Sequence, residues 1–332
     1  MAGNNLILAG DIGGTKTHLA LFSLEGEKLK SEREKTFPSK QYRGLEPVVE
    51  EFLAGQQVSI RRACFGIAGP VVEGQVKTPN LPWVVNAAKL ADTCKLSSVA
   101  LLNDLEATAY GIFTLQDQEL LSLNEGTPRR PGNMVLIAAG TGLGEATLYD
   151  DGRDYHPSAS EGGHADYAPR NETEIDLLRY LIKKFGRVSY ERVVSGPGLA
   201  NIYEFLRDGG RMEEPEWLKE KIASAEDISA AITQEALAGI GAICVKALDL
   251  FVSVYGAEAG NLALRGKATS GVYIGGGIAP KIVAKIKDGT FMRAFVDKGR
   301  YRDFLSGIPV RVVLNDQAAL QGAAFYAAKL KS

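Results

Sequence analysis

The sequence predicts an α/β protein of two domains with a ligand cleft between them, and three observations predict it. Its 332 residues exceed the usual size of one domain, so two cores are expected. Short apolar runs alternate with helix-like stretches along the chain. One pattern is also written twice, from about residue 6 and again from about residue 134: strand, glycine turn, strand, second turn. A cleft between two such halves would let both glycine hairpins address one ligand.

The first half opens with the apolar run Leu6-Ile7-Leu8-Ala9, and strands are expected at 6–12, 16–23 and 28–36. A helix over 44–54 precedes a further strand at 64–68, which Gly69-Pro70 breaks. Ser98-Val99-Ala100-Leu101-Leu102 reads as a buried strand, and a helix follows over 105–110. The polar, proline-containing loop 122–133 is a candidate link between domains. The second half repeats the opening, with strands at 134–139 and 145–149 around Gly140-Thr141-Gly142-Leu143-Gly144. From about 171 the chain is mostly helical, with buried helices over 228–255. Strands return at 270–274 and 310–314, and the closing helix 316–329 is expected to pack back on the first domain.

Composition narrows the function classes. Net charge is −2 with acids and bases interspersed, which argues against a basic nucleic-acid stripe or a polybasic membrane segment. Cys64, Cys94 and Cys244 lie far apart and form no C-x-x-C pair, so neither a disulfide framework nor a structural zinc site is expected. The sequence shows no signal-peptide layout and no apolar run of bilayer-spanning length. A cytoplasmic protein with no nucleic-acid or membrane partner is the simplest fit.

Residues 8–22 read LAGDIGGTKTHLALF and nearly match the P-loop pattern G-x-x-x-x-G-K-[ST], but Thr15 stands where that pattern needs glycine. A P-loop must also run into a helix, whereas residues 16–22 are strand-like. The stretch is therefore a hairpin, strand–turn–strand. Three glycine turns end strands: Gly13-Gly14-Thr15, Gly140-Thr141-Gly142 and Gly275-Gly276-Gly277. Glycine lets backbone amides approach phosphate oxygens, and Thr15 and Thr141 add hydroxyl donors. Together the turns point to nucleotide binding. Asp11, just before the first turn, reads either as a partner for Mg²⁺, directly or through water, or as a turn organiser. Lys16 reads as a solvent-facing strand residue.

Asn103-Asp104 sits where a buried strand passes into a helix. Asp104 reads as an N-cap, as a general base toward an attacking hydroxyl, or as both. Residues 160–166, Ser-Glu-Gly-Gly-His-Ala-Asp, contain E-x-x-H, but the two glycines argue against the helix a metal site would need. A loop presenting Glu161 and His164 suits vicinal sugar hydroxyls, or is a plain polar turn. Glu191 alone reads as a solvated helix-end residue. Trp83 is read as core rather than as a platform for a sugar ring.

These motifs, in this order, resemble the bacterial glucokinase family of the actin/hexokinase/Hsp70 ATPase superfamily. The resemblance runs through Asp11-Ile12-Gly13-Gly14-Thr15, Ile67-Ala68-Gly69-Pro70, Asn80 to Trp83, Asn103-Asp104 and Gly140 to Gly144. It continues through Glu161-Gly162-Gly163-His164, Glu191 with Ser195-Gly196-Pro197-Gly198, and Gly275-Gly276-Gly277-Ile278. It implies a two-domain actin-like (ribonuclease H-like) fold, with a small α/β domain of residues 1–115 plus 308–332 and a large α/β domain of 116–307. It implies ATP-dependent phosphorylation of glucose at the 6-hydroxyl. Asp104 would be the catalytic base, and Asn103, Glu161, His164 and Glu191 would hold the other hydroxyls. ATP would lie on Gly13, Gly14, Thr15, Gly140, Thr141, Gly142, Gly275, Gly276 and Gly277, with Asp11 near Mg²⁺. A homodimer is also implied. Lys16 stands where some members carry Asn; a lysine there resembles the related repressor/ORF/kinase sugar kinases, whose cysteine-rich zinc motif is missing here. A kinase for another hexose or an N-acetylhexosamine, and an idle sugar sensor, are the competing expectations.

Overall fold

Leu6–Ile12 is apolar at almost every position, and as strand β1 it lies inside a five-stranded sheet with both faces covered. The computed structural model describes residues 6–26, 28–56 and 60–330. The chain divides into two units, Met1–Glu119 with Asn315–Ser332, and Leu120–Leu314.

In the first unit β1 is followed by β2 (Lys16–Glu25), β3 (Lys28–Pro38), helix α1 (Leu45–Leu53) and β4 (Ile60–Ile67). The short pair β5 (Gln75–Lys77) and β6 (Val84–Asn86), helix α2 (Ala87–Cys94), β7 (Ser98–Asn103) and helix α3 (Asp104–Gly111) complete it, with the closing helix Ala318–Lys329. The sheet order is β3-β2-β1-β4-β7. The first three strands are antiparallel, and β1, β4 and β7 run parallel. One face buries Phe37, Phe52, Phe65 and Leu90 around Trp83, which is 1% exposed and donates its indole N–H to the Tyr42 carbonyl at 3.0 Å. Trp83 is core. The other face packs Ala9, Cys64 and Ala107 on Leu320, Ala323, Ala324 and Ala327 of the closing helix.

The second unit comprises β8 (Leu120–Asn124), β9 (Met134–Ala139), β10 (Leu143–Asp150), β11 (Tyr155–Ser160), β12 (Gly271–Gly275) and β13 (Val310–Val313). Its main helices are α4 (Glu172–Phe185), α5 (Gly196–Asp208), α6 (Glu216–Ala223), α7 (Ile228–Ala238) and α8 (Ala242–Gly266). The sheet order is β11-β10-β9-β12-β13-β8. Its first five strands repeat the order and sense of the first unit's sheet: three antiparallel, then two joined in parallel. Helix α8 is apolar on most sides because it is buried on most sides, among Ile137, Val272 and Phe291. Among the described residues no single helix is long and apolar enough to cross a membrane.

Two expectations need correction. Residues 122–133 do not link the units: 122–124 belong to β8, which pairs with β13, and the unit boundary falls between Glu119 and Leu120. Val310–Val313 does not join the small domain, because its backbone pairs with β12 and β8 in the larger sheet, so the second boundary lies at Asn315 rather than at 308. The helices expected over 228–255 are α7 and α8, and Gly239, in the left-handed conformation (φ 70°), ends α7 between them.

Candidate active site

The first hairpin confirms that no P-loop is present, since β1 and β2 pair antiparallel from Ile7 opposite Phe22 to Ile12 opposite Thr17. The Gly13 amide closes the turn on the Lys16 carbonyl at 2.9 Å. Ser39, fully buried, braces it from outside: its hydroxyl donates to the Gly13 carbonyl at 2.8 Å, and its amide donates to the Thr15 carbonyl at 3.0 Å. Sequence reasoning missed Ser39, having ended the third strand at 36. The pairing of Lys16 with Pro38 carries that strand on to the turn. Thr15 and Lys16 are exposed at the tip.

Asp11 occupies the last turn-side stretch of β1, and Asp104 opens α3 at the carboxyl end of parallel strand β7. Ligands of open α/β sheets gather at such strand ends. Burial and the neighbouring Asp104 carboxylate push the Asp11 carboxyl up to about 6. The N-cap position expected of Asp104 falls to Asn103, whose side chain accepts from the Leu105 amide at 2.9 Å, and Asp104 Oδ1 shares that amide at 3.0 Å. Glu106 returns the bond by accepting the Asn103 amide at 3.2 Å, which completes a capping box. The physical reason is register: the strand runs one residue further than expected, through Asn103, so Asp104 becomes the first helical residue. Asn103 also donates its side-chain N–H to the Gly69 carbonyl at 3.1 Å. One amide hydrogen and one lone pair remain to it for a ligand.

The second unit carries the other turns. Gly140 closes its turn by donating to the Gly142 carbonyl at 2.9 Å, and its own carbonyl accepts the Gly196 amide at the start of α5 at 2.8 Å. Glu191 is not a solvated helix end: its Oε2 accepts the Leu143 amide at 3.0 Å, and a Cβ on Gly142 would stand 2.6 Å from that oxygen. Gly142 is therefore glycine because a carboxylate packs against it. After β12, Gly276 takes φ 81° with its α-carbon against Ala139, a position no side chain could occupy. Gly277 is open, with nothing within 4 Å of an added Cβ. Glu161 precedes the single helical turn Gly162–His164 and His164 ends it; they are 79% and 58% exposed, with Oε2 and Nε2 3.9 Å apart. A carboxylate and an imidazole are thus offered side by side.

The first unit thus groups Asp11, Gly13, Gly14, Thr15, Asn103 and Asp104 at one end of its sheet. The second groups Gly140, Thr141 and Gly142 with Glu191, holds the loop of Glu161 and His164 on β10 and β11, and sets Gly276 on Ala139. Two units with the same three-antiparallel, two-parallel strand order define the two-domain actin-like fold.

The comparisons with known proteins narrow this class. The glucokinase family model matches residues 8–330. Glucokinase from Nostoc sp. is 44% identical over 341 aligned positions, covering 98% of this chain and 99% of that protein. Glucokinase from Yersinia pestis is 38% identical over 321 positions, with 96% and 95% covered. Among solved structures, glucokinase from an Antarctic psychrotroph superposes with a TM-score of 0.87 at 29% identity, over 98% of this chain and 99% of that one. A ROK-family glucokinase from Streptomyces griseus, solved with glucose and AMPPNP, shares the fold with a TM-score of 0.67 at 21% identity, over 98% and 100%. The chain belongs to the glucokinase family, and it is an enzyme of sugar phosphorylation.

Proposed function

We propose that this chain transfers the γ-phosphoryl group of Mg·ATP to the 6-hydroxyl of glucose, with Asp104 as general base. The observation that carries this reading is the pair of carboxylates, Asp11 and Asp104, held at the carboxyl ends of β1 and β7 and raising each other's electrostatic energy. The glycine turns beside Asp11, and the Streptomyces griseus relative solved with glucose and AMPPNP, support it.

Asp104 takes the proton of the 6-hydroxyl as the sugar oxygen forms its bond to the γ-phosphorus. The bond from that phosphorus to the bridging oxygen breaks, and ADP leaves with the electron pair. Phosphoryl transfer asks little covalent work of a protein beyond placing this base and neutralising charge. The amides at Gly14 and Gly142 and the hydroxyls of Thr15 and Thr141 face phosphate oxygens; Gly13 and Gly140, whose own amides close the turns, let those oxygens approach, and Gly275, Gly276 and Gly277 leave room for the nucleoside. Asn103, Glu161, His164 and Glu191 hold the remaining sugar hydroxyls.

Asp11 fits a divalent cation. It is a largely buried carboxylate beside a second one, its proton affinity is raised, and no ion pair involves it among the described residues. Mg²⁺ bound to the phosphates would supply the charge neutralisation that transfer requires, with Asp11 holding it directly or through water.

The test is ADP formation from Mg·ATP against glucose, mannose, fructose, glucosamine and N-acetylmannosamine. A strong preference for glucose is expected. Preference for another sugar would keep Asp104 as base and overturn the substrate, and no sugar-dependent turnover would overturn the kinase reading.

A further inference from the structure

Beneath the loop of Glu161 and His164 lies a buried cluster that the proposed chemistry does not use. Glu145 on β10 is 1% exposed and Glu258 on α8 is fully buried. One cation serves both: Arg265 reaches Glu258 Oε1 at 2.5 Å and Glu145 Oε2 at 3.2 Å. Asn261 donates to Glu258 Oε2 at 2.8 Å and to the Tyr190 hydroxyl at 3.0 Å. Glu145 Oε1, also buried, receives no hydrogen bond from any donor among the described residues.

Two buried carboxylates and one guanidinium leave a net negative charge, which is costly at such depth. One proton between the carboxylates cancels it and gives Glu145 Oε1 a partner in Glu258. The titrating environment is consistent with this: burial first, and then Glu258, push Glu145 up to about 8. The other ionisable groups around the pair are Tyr190 on the turn Tyr190–Arg192, Tyr255 on α8, and Lys298, which senses Glu258.

The cluster also touches the sugar-side segments. Gly162, between Glu161 and His164, packs against the Glu145 carboxylate so closely that a Cβ there would overlap Oε2 and displace it. The Ser160 hydroxyl, at the start of that loop, donates to the Glu145 carbonyl at 3.2 Å. Through Asn261 the same cluster holds Tyr190, the residue before Glu191.

We propose that Glu145 is a positioning residue for sugar binding: sharing one proton with Glu258 over Arg265, it sets the height of the loop bearing Glu161 and His164 and the place of Glu191. This rests on the reading of those three side chains as sugar ligands. Loss of the shared proton leaves two carboxylates repelling each other under the loop, so glucose affinity falls in alkaline solution.

The experiment is glucose binding by calorimetry, without nucleotide, from pH 6.5 to 9.5 for wild type, Glu145→Gln, Glu145→Ala and Glu161→Ala. Wild-type affinity should be level at low pH and fall above about pH 8, by up to about tenfold per pH unit. Glu145→Gln carries a permanent donor toward Glu258 and should bind glucose with a flat profile. Glu145→Ala should bind weakly at every pH. If it does not fold, the profile of Glu145→Gln decides alone. The same alkaline fall in Glu145→Gln as in wild type, no fall in wild type, or wild-type affinity in a folded Glu145→Ala overturns the proposal. Glu161→Ala separates the two readings. If it binds glucose normally, the sugar-ligand reading fails. If it binds weakly while the Glu145 variants match wild type, only the positioning role fails.

Discussion

Asp11 and Asp104 act on each other as like charges inside one unit, and burial first, then that repulsion, lifts Asp11 to about 6 from its ordinary 3.8. A folded-state value above the unfolded one means the folded protein holds the proton more tightly. The stabilisation this brings is complete below about pH 3.8 and is lost as pH rises through 6. At pH 8 the ionised Asp11 therefore burdens the ligand-free fold. Asp11→Asn should raise stability at pH 8 by on the order of 3 kcal/mol and change it little at pH 4. Mg·ATP should raise the Tm of wild type and leave that of the variant nearly unchanged. Thermal melts at the two pH values, with and without Mg·ATP, check this.

Two glycines of one turn should behave differently. Gly142→Ala pushes a methyl group against Glu191 Oε2, only 2.6 Å from the ideal position, so it should lower Tm and weaken both substrates. Gly140→Ala meets nothing within 4 Å and should fold normally. Its methyl group would stand where phosphate oxygens approach, so it should raise the KM for ATP several-fold. Melting curves beside KM values for ATP and glucose separate the cases.

The capping box places Asp104. Asn103→Ala removes the capping box and the bond to the Gly69 carbonyl and leaves the Leu105 amide to Asp104 Oδ1 alone. Stability should fall by about 1–2 kcal/mol, and kcat should fall with it because the first turn of α3 loosens. Glu106→Ala, which loses only the return bond, should cost less in both. Urea unfolding and steady-state kinetics on the two variants test the order.

Helix α3 rests on the closing helix through two glycines, Gly111 beside Ala318 and Gly322 beside Ala107, with no room for a methyl group at either. Gly322→Ala should force the helices apart, cost about 1–3 kcal/mol, and reduce kcat more than it raises either KM, since α3 carries Asp104. Calorimetric melting with kinetics provides the check.

Much of this organisation was legible in the sequence, for physical reasons. The hairpins showed because fully buried strands are apolar at nearly every residue and the turns between them are marked by glycine. β11 was missed because Tyr155–Ser160 lies at the sheet edge, alternates in exposure and contains Pro157, all of which read as loop. β8 was missed because none of its residues is fully buried and it too sits at an edge. Asp104 stands out by its place after a buried strand, but Asn and Asp are equal caps, so only the register of β7 shows that Asn103 takes the N-cap position. Glu191 looked solvated because its partner, the Leu143 amide, is distant in sequence. Glu145 left no mark at all: one acid in an alternating strand looks solvent-facing, and only the approach of α8 buries it beside Glu258.

The most direct test of the proposed chemistry is Asp104→Asn, with glucose binding and sugar-dependent ADP formation measured on the same preparation. The expected result is glucose affinity within a few-fold of wild type and a kcat lower by about 10²–10⁴-fold, the range for loss of a general base. A variant that binds glucose and turns over at the wild-type rate would remove Asp104 from the chemistry.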